Sequence, residues 1–394
     1  MKAVVWNGTR DVSTVEVPDP RIEQPRDAVI RVTSSGLCGS DLHLYEVLGP
    51  FMTPGDIMGH EPMGVVEEVG DGVTSLVPGQ RVVVPFQISC GECAMCRSGL
   101  QTQCETTQVR EEGTGAALFG YSRLYGGVPG AQAEYLRVPY ADGTAIPVPS
   151  EGPDDRYLYL SDVLATAWQA VRYADVPEGG SVAVLGLGPI GDMCCRVARH
   201  LGAEKVFGVD PVPERRGRAS ARGAEVFDSS QGTDALVEAI RDRTDGRGPD
   251  AVIDAVGMEA SGHVSAKAAQ RMVNFLPKGA AAKMMETAGV DRLAALYTAI
   301  DLVRRGGTVS LSGVYGGMVD PMPMLKLFDK QIQLRMGQAN VRRWVPEIMP
   351  LLDEDDRLGV EDFATHHVPL DLAPQAYKRF QKKQDGVFKV VFTP

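Results

Sequence analysis

Hydrophobic and polar positions along the chain change rhythm twice. Over residues 1–175, short apolar stretches such as Ala28–Val32, Gly64–Val69 and Arg81–Pro85 are broken by Pro18, Pro20, Gly70, Gly72, Pro78 and Gly79. That pattern predicts a β-rich domain of strands and tight turns. Over residues 176–337, apolar runs starting near Val182, Lys205, Glu225, Ala251, Thr308 and Gln331 alternate with helix-like spacing. Alternation of this kind predicts an α/β domain, a doubly wound parallel sheet. Residues 338–394 hold a helix, Arg342–Leu352, and a closing strand, Val387–Phe392. They lack the nucleotide-domain rhythm and are placed back on the first domain. About 50 residues separate the strand ending near Val256 from the one starting at Thr308. A compact crossover needs far fewer, so this stretch reads as a functional or mobile insertion.

One stretch of the second region carries chemistry. The buried run Val182–Leu185 leads straight into Gly186-x-Gly188-Pro189-Ile190-Gly191, and Ile190, Cys194, Val197 and Leu201 then recur at helical spacing up to Gly202. Strand, glycine turn and helix is the context of a dinucleotide site. Gly186 permits the turn, Gly188 lets a pyrophosphate approach the backbone, and Gly191 lets the helix pack close. Asp210 ends the next run, where a carboxylate binds a ribose 2′-hydroxyl and repels a 2′-phosphate. NAD is therefore expected, while the neighbouring Arg215 and Arg216 keep NADP open.

Composition narrows the class. The 394 residues are 44% hydrophobic, enough for two cores. A net charge of -11 argues against a nucleic-acid partner. No apolar run is long enough to span a bilayer, and Met1-Lys-Ala-Val-Val-Trp6 enters a strand pattern without a signal-peptide core. A cytoplasmic protein is expected. Of the seven cysteines, four form Cys90-x2-Cys93-x2-Cys96-x7-Cys104. In a signal-less chain this suggests metal rather than disulfides. Four thiolates suit a closed, structural zinc site, with iron–sulfur ligation as the chemical rival.

A second constellation is scattered: Cys38-Gly-Ser40-Asp41-Leu-His43, Gly59-His60-Glu61 and Ser161-Asp162. Taken with the quartet, Thr166 and the glycine turn, it resembles the zinc-dependent medium-chain alcohol dehydrogenases. The resemblance spans essentially the whole chain and implies a GroES-like catalytic domain beside a Rossmann domain. It also implies a catalytic zinc held by Cys38, His60 and a third ligand at Asp162, where many members have cysteine. That departure resembles the glutathione-independent formaldehyde dehydrogenases, as do Gln132–Asp142 and Asp254–His263. The resemblance gives Ser40 and His43 a proton relay and Asp41 the orientation of His60. It lets Glu61 enter the metal shell when substrate leaves. Thr166 is expected to pack on the nicotinamide and Lys389 to contact the pyrophosphate.

The reading that results is NAD-linked oxidation of a small alcohol or aldehyde hydrate, with dismutation of aldehyde where NAD is retained. The cofactors are one catalytic and one structural zinc per chain, with NAD. A homotetramer or homodimer is expected. The alternatives are a polyol or other secondary-alcohol dehydrogenase of the same family, or a redox-inactive NAD-binding protein. The intact set of Cys38, Ser40, His43, His60 and Glu61 speaks against the last.

Overall fold

The computed structural model describes residues 1–257, 293–315, 321–353 and 356–394. The expected insertion, with His263 inside it, falls largely outside the described residues. The chain divides into two compact units, Met1–Ala165 with Ala339–Pro394, and Thr166–Gln338. The first boundary thus falls ahead of the expected 175/176, because the helix Val163–Ala174 begins at the end of the first unit.

The strands in chain order are β1 (Lys2–Gly8), β2 (Asp11–Glu16), β3 (Ala28–Leu37), β4 (Glu61–Val69), β5 (Arg81–Val83), β6 (Tyr135–Val138) and β7 (Ile146–Pro147). They continue with β8 (Ser181–Leu185), β9 (Lys205–Val209), β10 (Glu225–Phe227), β11 (Ala251–Asp254), β12 (Thr308–Leu311) and β13 (Gln333–Met336). Last come β14 (His366–Pro369) and β15 (Val390–Thr393).

In the first unit, β1 and β2 form a hairpin, and a larger sheet runs β14-β15-β3-β4-β5-β7 with β6 also on β3. Its organising strand is β3, which pairs antiparallel with β4, β6 and β15. Ala28, Ile30 and Val32 alternate into a core with Val66, Val82, Val84 and Leu136, burying apolar side chains worth roughly 1.5–3 kcal/mol each. Two register shifts, between Val29 and Ile30 and between Val32 and Ser34, bend the strand. The pairing Gly36↔Glu61 brings the end of β3 and the start of β4 together. Residues 38 and 60 therefore leave the sheet at the same edge.

The second unit is a six-stranded parallel sheet in the order β10-β9-β8-β11-β12-β13. This is the doubly wound order, in which dinucleotides bind at the carboxyl ends of the strands where the order reverses. Its strands read as unbroken apolar runs because helices cover both faces. Ala183, Leu185, Phe207, Val209, Val252 and Val309 fill the core. The last strand starts at Gln333, since the helix Met324–Lys330 ends in a left-handed Gln331, φ 55°. The closing strand likewise starts later than expected, at Val390.

Candidate active site

Cys38 caps the helix Gly39–Glu46 directly after β3, and His60 immediately precedes β4. Asp162 ends the 3-10 turn Tyr159–Ser161, tied to the sheet side by the Phe86 N–H donating to the Ser161 carbonyl at 3.2 Å. All three are buried. Cys38 Sγ lies 3.5 Å from Asp162 Oδ2, and His60 Nε2 also lies 3.5 Å from Asp162 Oδ2. Donor atoms of Cys38, His60, Glu61 and Asp162 all fall within 4.8 Å of one another. Tetrahedral zinc, with ligands at about 2.0–2.3 Å, sets its donors roughly 3.3–3.8 Å apart. The three residues fit that ion.

Electrostatics agree with a cation site. Burial pushes the Cys38 thiol up to about 11, and the Asp162 and Glu61 carboxylates add to the push. A divalent ion reverses that preference and favours thiolate. Burial works against charge on His60, yet the Asp41 and Asp162 carboxylates hold its pKa well above the usual histidine value.

Asp41 is fully buried, with Oδ1 3.1 Å from His60 Nδ1. Its Oδ2 accepts from the Cys38 N–H at 2.9 Å and from Gln132 Nε2 at 3.3 Å. Tyr377 in turn donates to Gln132 Oε1 at 2.9 Å. This carboxylate fixes both the cap of Cys38 and the imidazole of His60, leaving Nε2 to face the cluster. Ser40 Oγ lies 3.1 Å from that nitrogen. His43 is buried a turn along the same helix.

Lys389 has partners within its own unit that the sequence did not announce. It lies just before β15, is fully buried, and donates to the Leu37 carbonyl at 3.0 Å and to Glu61 Oε2. Because β15 pairs with β3 at Leu37, the ammonium is carried to the Glu61 side of the metal-ligand cluster. Burial opposes its charge, but Glu61 and Cys38 outweigh that and hold its pKa above the usual lysine value. Glu61 keeps Oε1 without a hydrogen-bond partner. Gly36 is required opposite it, since a Cβ there would collide with the Glu61 carboxylate.

Sequence reasoning missed two aromatic neighbours. Phe86 and Tyr121 each meet the His60 ring edge-on with centroids 6.5 Å apart. Burial, followed by Tyr125 and the charges around His60, pushes the Tyr121 phenol well above its usual range. Neither residue belongs to a motif, so no spacing announced them.

The quartet is compact. Cys90 Sγ and Cys96 Sγ are 4.0 Å apart, Cys93 Sγ and Cys104 Sγ 3.9 Å, and all four sulfurs lie within 4.8 Å of one another. That span holds one tetrahedral ion and leaves no room for a cluster of several irons. Backbone N–H groups of Cys90, Cys93 and Cys96 point at the sulfurs of Cys104, Cys90 and Cys93 at 3.3–3.4 Å. Gly91 and Gly99, both at φ 79°, turn the chain around them.

In the second unit Gly186 has φ 85°, and a Cβ on Gly191 would strike the Gly186 carbonyl. Gly188 caps the helix Pro189–His200, with Pro189 and Ile190 in its first turn. A Cβ on Gly188 would meet only Arg215 Nη1, at 3.6 Å. The cradle for a pyrophosphate is therefore present. Asp210 follows β9, its Oδ2 accepting from the Leu187 N–H and its Oδ1 from the Val212 N–H, both at 2.8 Å. Arg215 Nη1 lies 3.7 Å from Asp210 Oδ2, and Arg216 donates to the Asp210 carbonyl at 2.7 Å. Thr166 opens this unit on the helix Val163–Ala174. Cys194 and Cys195 pack in the core.

One unit with a thiolate–imidazole–carboxylate pocket and a cysteine quartet, and another with a doubly wound sheet and glycine turn, define a dehydrogenase. The chain matches the alcohol dehydrogenase GroES-like domain over residues 24–150 and the zinc-binding dehydrogenase family over residues 189–273. It belongs to the zinc-dependent medium-chain alcohol dehydrogenases and is an oxidoreductase using zinc and a nicotinamide cofactor. It is 38% identical to the uncharacterized zinc-type alcohol dehydrogenase-like protein AdhB of Bacillus subtilis, covering 100% of both chains. It is 31% identical to the formaldehyde dismutase of Pseudomonas putida, covering 99% of this chain and 97% of that protein. Among solved structures, the alcohol dehydrogenase TADH from Thermus sp. ATN1 superposes with a TM-score of 0.82 at 34% identity, covering 100% of this chain and 99% of that one.

Proposed function

We propose that the protein oxidises a small alcohol or aldehyde hydrate, with formaldehyde as the leading substrate and NAD as the hydride acceptor, and that it dismutates aldehyde when the nucleotide stays bound. The observation that carries this reading is Asp162 beside Cys38 and His60, a carboxylate at the position where the family resemblance implies cysteine in many members. The 31% identity to a formaldehyde dismutase supports it. Zinc at Cys38, His60 and Asp162 would supply a Lewis acid that favours the alkoxide, and NAD would take the hydride.

The chain's own groups do the rest. Ser40 lies beside the His60 nitrogen that would bind the metal, and its hydroxyl, which donates and accepts at once, would take the substrate's proton and pass it on. His43 on the same helix is the group that hands the proton to water. Asp41 holds His60 so that one nitrogen stays available. A second zinc in the quartet stabilises its loop. Asp210 favours NAD over NADP.

We further infer a cytoplasmic homo-oligomer, a dimer or tetramer. The seven cysteines form no disulfide among themselves, which fits a reducing compartment. No helix among the described residues is long and apolar enough to cross a membrane. Among the described residues β13 has a neighbour on one side only, and Leu325 and Phe328 on the preceding helix are 80% and 83% exposed. Such an edge invites pairing with a second copy.

The test is nucleotide release by acid from purified protein, with separate assays on formaldehyde and ethanol. Retained NAD and thiol-independent turnover of formaldehyde are expected. No retained nucleotide and a preference for larger alcohols would replace this reading with the polyol or secondary-alcohol alternative.

A further inference from the structure

An aldehyde hydrate carries two hydroxyls on the reacting carbon, where an alcohol carries one. The site supplies one evident partner, Ser40, at His60 Nε2. The two aromatic rings edge-on to His60 differ in one atom: Phe86 has no polar group, whereas Tyr121 has a hydroxyl. Tyr121 is half-buried, lies in the field of His60, Cys38 and Asp41, and among the described residues its hydroxyl makes no hydrogen bond. It is held by an edge contact to Tyr125, centroids 5.5 Å apart. A hydroxyl on a ring edge-on to His60, with no protein partner among the described residues, is open to a hydrogen bond with a ligand.

We infer that Tyr121 is the substrate-binding residue for the second hydroxyl of the hydrate, and so selects aldehyde hydrates over alcohols. This rests on the aldehyde reading above. Oxidation of the hydrate breaks its C–H bond, sends that electron pair as hydride to the nicotinamide, releases a hydroxyl proton to solvent and leaves a carboxylic acid. Tyr121 donates to, or accepts from, the hydroxyl that does not lose its proton in that step.

Two fluorinated probes separate the possibilities: trifluoroacetaldehyde hydrate and 2,2,2-trifluoroethanol. Both are titrated by fluorine NMR into zinc-loaded enzyme with ADP-ribose, which cannot accept hydride. Tyr121→Phe keeps the ring and removes the hydroxyl. It should weaken the hydrate about 10-fold and the alcohol less than about 2-fold. Equal weakening of both, or no change in either, overturns the assignment. Assays with formaldehyde and ethanol distinguish this failure from failure of the underlying reading. Wild-type enzyme that oxidises ethanol but not formaldehyde overturns both, whereas formaldehyde oxidation unchanged in Tyr121→Phe overturns Tyr121 alone.

Discussion

The cysteine quartet and the Cys38 pocket lie in the same unit and are built in opposite ways. The quartet comes from one short run, Cys90 to Cys104, and its sulfurs are met by the chain's own N–H groups. Burial pushes Cys104 up, but hydrogen bonds from the Thr107 side chain and from backbone N–H groups outweigh it and bring that thiol down to about 6. Cys38, by contrast, is pushed up to about 11 by burial with Asp162 and Glu61 beside it. Within the quartet Cys93 and Cys104 are thus prepared as anions by the chain itself, while burial pushes Cys96 up, and an ion there would close a loop. An ion in the pocket would offset its charges, and the pocket offers donors of three chemical kinds, which suits a site that must keep one position for substrate. A local site of the first kind is read as structural, and a dispersed site of the second kind as catalytic.

The sharpest way to break this contrast is Asp162→Ala. Loss of a metal ligand at the pocket should lower kcat/KM by at least about 1,000-fold, or roughly 4 kcal/mol, while the thermal midpoint moves little. A comparable fall in both would make the pocket structural too. Next in size, Lys389→Met strands the Glu61 carboxylate in a fully buried position and should destabilise the chain by about 3–5 kcal/mol in a denaturant titration. Glu61→Gln in the same chain should restore part of that, and NAD affinity should stay unchanged. A weakened NAD affinity with normal stability would instead give Lys389 the pyrophosphate contact expected from sequence.

Cys104→Ser tests the other side of the comparison. It should lower the melting temperature by ~10 °C, a loss of about 3 kcal/mol for a domain of this size, with residual activity per folded molecule largely kept. Activity lost without loss of stability would contradict a structural quartet.

The smallest effect concerns Asp154, in the helix Asp154–Leu158 that leads towards Asp162. Burial raises its pKa, but Thr33, Arg81 at 2.5 Å and Ser34 outweigh it and hold the carboxyl below its usual value. A depressed folded-state pKa gives stability that is present above the unfolded value, about 3.9, and is lost as pH falls through the folded value. Asp154→Asn should therefore lower stability at neutral pH by about 1–2 kcal/mol and flatten the acid limb of the stability curve. An unchanged acid limb would show that the Asp154 carboxylate does not stabilise the fold.

What could be read from sequence follows the same divide. The six parallel strands, the glycine turn and the quartet are local patterns, and their signals lie within a few residues of the groups they build. The Cys38 pocket is assembled from three distant segments and became legible only through a family resemblance. Gly36 carried a readable hint, since a glycine inside an apolar strand marks a close approach, and here it makes room for Glu61. The partner of Lys389 in Glu61 was not legible, because the pairing of β15 with β3, two distant segments, decides which groups it meets. Phe86 and Tyr121 reach His60 from loops between short strands, and no periodicity places loop side chains.

The most direct test of the central claim is the zinc content of wild type and of Asp162→Ala, measured by mass spectrometry on protein purified without chelator. Two zincs per chain falling to one in the variant is the result expected if Asp162 completes a catalytic site separate from the quartet. One zinc in both would mean that the Cys38 pocket does not hold the metal, and the proposed chemistry would fall with it.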